Sequence, residues 1–173
     1  MSEDGRATFM TQDWKPKEDT LQKLIDNLER DTAALETMTE YREEALRELS
    51  GGQTSFSRPA AETDKFYNPG EEERDTRIHY GLVGSGKGLG KDDDLRRKFV
   101  VENDCLVIDS GFQAVMQSID GNRKDTFAVI RGVSDYRDGT QRREWQPYAA
   151  LAAAAYMKTL VLQLPAENDS DSE

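Results

Sequence analysis

Two carboxylates in this chain stand at the ends of apolar, β-branched runs. Asp109 closes Cys105-Leu106-Val107-Ile108, and Asp135 closes Phe127-Ala128-Val129-Ile130-Arg131-Gly132-Val133-Ser134. Carboxyl groups so placed can divide acid and base work. A neutral acid can give a proton, and an ionised one can act as a base or stabilise positive charge. The plain alternative at either position is an Asx turn, or a cap on the segment that follows. A third candidate is Gly81-Leu82-Val83-Gly84-Ser85-Gly86-Lys87, which matches most of a P-loop, where backbone N–H groups and a lysine cradle polyphosphate. The next residue, however, is Gly88 rather than the Ser or Thr that would hold Mg²⁺, and Gly88-Leu89-Gly90 intervenes before any helix signal. Binding of a nucleoside triphosphate is therefore not expected there, and a glycine-rich turn after a strand is the plain reading. His79, the only histidine, is read as a strand-end residue with no role, and Arg131 as a structural ion-pair partner. No metal site is expected.

The elements that must carry these residues follow from periodicity. From Lys17 to Leu49, apolar residues including Leu21, Leu24, Leu28, Leu35 and Met38 recur at three- and four-residue steps among charged ones, an amphipathic helix with room for one break. Asp31 and Arg42 fall on its apolar stripe, which argues against a coiled coil, because buried charges need partners. The helix is expected to bury Leu24, Leu28 and Leu35 on the chain's own sheet, or else to bind a partner. Gly51-Gly52 terminates it, and Gln53 to Asp75 reads as loop. Beyond Arg77, short apolar runs alternate with helical patterns, as in an α/β sheet. Strands are expected at Ile78 to Val83, Cys105 to Ile108 and Phe127 to Val133. Short helices are expected from the cap Asp92 through Phe99 and from Phe112 to Ile119, with a turn at Gly121-Asn122. A closing helix, Trp145 to Leu162, carries enough alanine to lie close on the sheet. The resulting organisation is a flexible 1–16, a helical and irregular 17–77, an α/β half-domain over 78–165 and a disordered acidic tail over 166–173.

Composition restricts the partners. With 34 acidic against 23 basic side chains the net charge is -11, which repels nucleic-acid phosphates and anionic lipid surfaces. Hydrophobic residues make up 36% and charged residues 33%, and the mean hydropathy is -0.81, so only part of the chain can form a packed interior. Cys105 is the sole cysteine, which excludes an intrachain disulfide and a secreted disulfide scaffold. No apolar stretch reaches signal-peptide or membrane-span length, so a cytoplasmic location is expected, with neither nucleic acid nor membrane as partner.

His79-Tyr80-Gly81 followed by Gly84-Ser85-Gly86, the run Ile130-Arg131-Gly132-Val133-Ser134-Asp135, and Trp145-Gln146-Pro147-Tyr148-Ala149-Ala150 together resemble the nucleoside phosphorylase superfamily. The likeness is to the phosphorylase-like domains of fungal and other multidomain proteins, often ahead of NACHT or ankyrin modules. The glycine segment is also similar to the Ser-Gly-Asp segment of methylthioadenosine nucleosidases, with Lys87 where those carry Asp. Covering Ile78 to Pro165, the resemblance implies an α/β fold with a partial mixed sheet flanked by helices, the C-terminal part of the phosphorylase architecture, preceded by an amphipathic helical segment. It also implies chemistry at the N-glycosidic bond of a purine nucleoside. Asp135, after Ile-Arg-x-x-Ser, would give the departing base its proton at N7, with Ser134 in the same site. Asp109 and Ile108 stand where the family has the Glu that holds the ribose and the Met that lines it. Leu89, beside Gly90, would lie against the base, where an aromatic is usual. Asp109 is one methylene shorter than Glu, and a misplacement of about 1 Å can cost roughly 100-fold in rate.

The family's opening half, with its glycine-rich phosphate loop and phosphate-binding arginine, has no counterpart here. The resemblance thus implies a nucleoside phosphorylase or nucleosidase-like domain that is weak or incomplete as an isolated chain. It would take no cofactor, would use water or phosphate as nucleophile or co-substrate, and would be completed by a second copy or a complementary chain. The alternative is a catalytically inactive interaction or regulatory module derived from that domain.

Overall fold

The computed structural model describes residues 9–64, 76–86, 88–109, 111–121, 126–135 and 143–164. Lys87, Asn122 and the 166–173 tail, to which the sequence assigned places, lie outside these residues. The chain divides into two compact units that interleave along the sequence.

One unit, Asp19–Glu71, Ile130–Asp135 and Gln141–Glu173, is helical. It opens with α1 (Thr20–Glu29) and α2 (Thr32–Leu49). The pattern left room for one break, and the break falls at Asp31, read in the sequence as a charge on the stripe: it adopts an extended backbone and its side chain accepts from the Ala33 N–H at 2.9 Å, so that a new helix starts. Helix α2 ends at Ser50, ahead of Gly51-Gly52. The long closing helix, Gln146–Val161, starts after a 3₁₀ turn at Arg143–Trp145, with Pro147 in its first turn, where a missing N–H costs nothing.

That closing helix packs against α2, and α1 packs against both. The expectation that the N-terminal helix covers a sheet is therefore corrected: its partner is a helix. Both helices bury small residues in this unit, Ala149, Ala152 and Ala155 on the closing helix and Ala34 with Met38 on α2, and small side chains allow helices to approach closely. Leu28, Ala34 and Leu160 form a core cluster, joined by Leu24, Ile25 and Ile130. Each fully buried aliphatic of leucine size contributes about 1.5–3 kcal/mol. Leu35, expected inside, is 43% exposed, while Met38 is 2% exposed.

The other unit, Met1–Glu18, Glu72–Val129 and Tyr136–Thr140, carries the sheet. Strands β1 (Leu82–Gly84) and β2 (Cys105–Ile108) pair in parallel, Leu82 against Cys105 and Gly84 against Ile108. A parallel pair needs a crossover. Here it contains α3 (Asp93–Asn103), whose Asp92 cap accepts from the Leu95 N–H at 2.9 Å. Asp104, at φ 51°, turns the chain out of α3 straight into β2. Ile108 Cδ1, Phe99 Cε1 and Cys105 Sγ crowd the Gly84 α-carbon so closely that a Cβ there would lie 2.6–3.1 Å from all three, and any side chain at this position would force its neighbours to shift. Helix α4 (Gln113–Gly121) follows β2, and the closing helix of the helical unit is accordingly α5. Within the first sixteen residues, read as a solvated arm, Phe9 packs edge-on to Phe99 at 5.0 Å.

The molecule thus has an α/β element, but its sheet among the described residues is a parallel pair rather than a mixed sheet. The strand expected over Phe127 to Val133 is absent: these residues form an irregular segment. Their β-branched character is overridden by tertiary context, because Ile130 is drawn into the helical core while Val133 remains 57% exposed.

Candidate functional site

In the α/β unit, the candidate residues gather at the carboxyl ends of β1 and β2, the rim where open parallel sheets place their ligands. The Asp109 N–H donates to the Gly84 carbonyl at 2.9 Å, extending the ladder by one residue. The Ser85 hydroxyl donates to the Asp109 carbonyl at 2.5 Å, so the two strand exits are tied together. Asp109 Oδ1 accepts from the Gly111 N–H at 3.0 Å, an Asx-type turn that leads toward α4. Ile108 is half-buried and turned to Gly84.

Leu89 is 5% exposed, packed beneath the glycine loop, with its N–H donating to the Gly86 carbonyl at 3.1 Å. Arg96 Nη1 donates to the Leu89 carbonyl at 3.3 Å, and Nη2 pairs with Asp93 at 2.6 Å, so α3 holds the loop from one side. The sequence offered one signal for Arg96, its three-residue spacing from Asp93 on a helix face. After β1 the chain passes through turns to Lys91 before α3 begins. Asp92, Asp93 and Asp94 occupy the start of that helix, where the dipole would otherwise attract a phosphate. Burial and, second, the Asp104 carboxylate push the Cys105 thiol up, which disfavours the thiolate, its nucleophilic form.

Ser134 and Asp135 belong to the helical unit. The Ser134 hydroxyl donates to Asp135 Oδ2 at 3.3 Å, and both residues are half-buried. Their position follows from two anchors. Ile130 sits on the core formed by Leu28, Ala34 and Leu160, and the main chain at Gly132 runs directly against the Ala149 carbonyl, where any Cβ would collide. At the start of α5 lies a group of contacts that sequence reasoning did not find. Trp145 Nε1 donates to Thr63 Oγ1 at 2.9 Å, and the Trp145 and Tyr148 rings meet edge to face at 5.8 Å. Arg42 Nη1 donates to the Tyr148 hydroxyl at 3.3 Å, and the Arg58 guanidinium stands 5.9 Å from the Trp145 ring. Arg42, an anomaly on the stripe of α2 by sequence, is thereby accounted for.

The structure therefore brings Ser134 to Asp135 in one unit, and Ile108, Asp109 and the Leu89 loop together in the other. Among the described residues, no cluster of His, Cys, Asp or Glu could hold a metal ion, and no helix is long and apolar enough to cross a membrane.

No family model and no solved structure matches the chain. A nucleotide-binding leucine-rich repeat (NLR)-like protein of Hyaloscypha variabilis is 33% identical over 82 residues. The match takes in 47% of this chain and 8% of that protein, so the chain is similar to a small part of a much longer polypeptide.

Proposed function

We propose that residues 78–165 are the C-terminal half of a nucleoside phosphorylase-like domain that binds purine nucleosides and has very low turnover without a complementary half. The observation that carries this reading is the run Ile130-Arg131-Gly132-Val133-Ser134-Asp135, with the Ser134 hydroxyl on the Asp135 carboxylate. In this reading Asp135 supplies the proton that the departing base takes at N7, and Ser134 sets its orientation. Asp109 holds the ribose hydroxyls, Ile108 lines the sugar, and Leu89 shapes the loop beside the base. Water is the nucleophile, with phosphate as an occasional co-substrate, and no cofactor takes part. The similar segment in a long NLR-like protein is in keeping with a domain that works as one module among several.

A second reading, an inactive interaction or regulatory module descended from the same domain, is favoured by the engagement of Asp109 Oδ1 in its own turn. Base release from inosine and adenosine, with and without phosphate, separates the two. Under the first reading, Asp135→Asn lowers kcat by about 100-fold while sparing binding, because protonation of the leaving base belongs to the transition state. Asp109→Asn acts on binding. Brisk phosphate-dependent turnover by the isolated chain, or turnover untouched by Asp135→Asn, overturns the assignment; no binding of either nucleoside favours the inactive module.

A further inference from the structure

Helix α5 is apolar on all sides, the pattern of a helix that is covered all round. One side is accounted for: Ala152, Ala155, Tyr156 and Thr159 are buried in the helical unit. The opposite side is not. Ala150 and Ala154 are exposed, Met157 is 52% exposed, Val161 51% and Leu164, just past the helix end, 39%. These five residues follow one another at steps of four, three, four and three, which is the heptad spacing of a helix that packs along another helix.

We propose that this stripe is a self-association surface, on which α5 of a second copy lies antiparallel. The proposal is independent of the nucleoside reading. Its first support is size. With the two helices antiparallel about the centre of α5, Ala150 faces the partner's Val161 and Ala154 faces the partner's Met157, and the symmetry repeats both pairs. Each of the four layers then sets one small side chain against one large one, the alternation that fills a helix interface at normal packing density. A parallel copy would stack alanine on alanine and methionine on methionine, leaving voids in some layers and overfilling others. The antiparallel arrangement also sets the helix dipoles side by side in opposite directions, which is the favourable orientation.

The second support is charge. A chain of net charge -11 repels copies of itself, yet between Gln146 and Pro165 there is no carboxylate at all. The one charge in that stretch, Lys158, is paired with Glu44 at 3.1 Å on the side of α2. Two copies meeting along the stripe therefore bring no carboxylate of α5 itself into the contact. Four layers make a small interface, of the reversible class.

Sedimentation equilibrium of the full chain over a wide concentration range tests this, against Ala154→Glu and Val161→Glu. The wild type is expected to show a reversible monomer–dimer equilibrium that tightens as salt screens the net charge. Each glutamate should raise the dissociation constant at least about tenfold with the far-ultraviolet circular dichroism unchanged, because it buries a carboxylate without a partner. Register is read in a Cys105→Ser background by oxidising an equimolar mixture of Ala150→Cys and Val161→Cys chains, where the mixed disulfide should predominate over either self-linked product. The proposal is overturned by a monomer at every concentration and salt, by a dimer indifferent to both glutamates, or by preferential self-linking of the Ala150→Cys chain. Should a glutamate unfold the chain, the cysteine pair decides alone.

Discussion

At the residue scale, the position of Asp135 depends on a glycine three residues before it. The Gly132 main chain rests on the Ala149 carbonyl, and a methyl group at that place would have to displace the backbone of α5 rather than the end of a flexible side chain. Gly132→Ala should therefore destabilise the protein by about 1–3 kcal/mol, the usual cost of forcing atoms into a packed interior. Urea denaturation followed by circular dichroism measures it. Wild-type stability in that variant would mean that residues 130–135 do not dock on α5 as described. Ser134 and Asp135 are carried on this docked segment, so the same substitution is also expected to disturb the Ser134–Asp135 pair.

At the scale of elements, α3 links the two strands and closes the glycine loop through Arg96. Its start depends on one side chain, Asp92, which accepts from the Leu95 N–H. Removing an N-cap of this kind costs about 0.5–2 kcal/mol. Asp92→Ala is predicted to lower stability by that amount and to raise hydrogen exchange at Leu95 and Arg96 first, since these amides lie in the first turn. Asp92→Asn or Asp92→Ser, which keep an acceptor, should recover most of the loss. Unchanged exchange in the alanine variant would show that the cap does not hold the helix start.

For the whole molecule, the chain divides into two compact units. In the helical one α2 packs on α5, and Met38 of α2 is 2% exposed. Met38→Ala removes most of that side chain from a closed environment and is expected to cost about 2–5 kcal/mol. Local readouts should register it unequally: protection against hydrogen exchange falls in α1, α2 and α5, and the fluorescence of Trp145, held by Thr63 in the same unit, shifts at lower denaturant. A Trp14→Phe background isolates that signal, because the chain has two tryptophans. Equal loss of protection in α3 and β2 would show that the division into units has no energetic counterpart.

What the sequence alone determined about this protein is what neighbouring residues decide among themselves. The cap at Asp92 and the limits of Cys105–Ile108 and, to within a residue, of α5 follow from hydrogen bonds and periodicities a few residues long; the pattern left room for a break in the N-terminal helix, and the structure put it at Asp31. Tertiary structure decided the rest. That α2 meets a helix was decided by α5, far along the chain, and Arg42 bonds to Tyr148, 106 residues away. Val129 to Val133 has the composition of a strand, yet Ile130 is claimed by the helical core and Gly132 by the Ala149 carbonyl, so no ladder forms there. Likewise, the types of Asp109 and Asp135 were legible as acids at the ends of apolar runs, but the turn that occupies Asp109 and the hydroxyl that meets Asp135 are products of local backbone paths set by packing. Short-range bonding selects elements; the burial of apolar surface between distant elements selects their neighbours, and with them the surroundings of each candidate side chain.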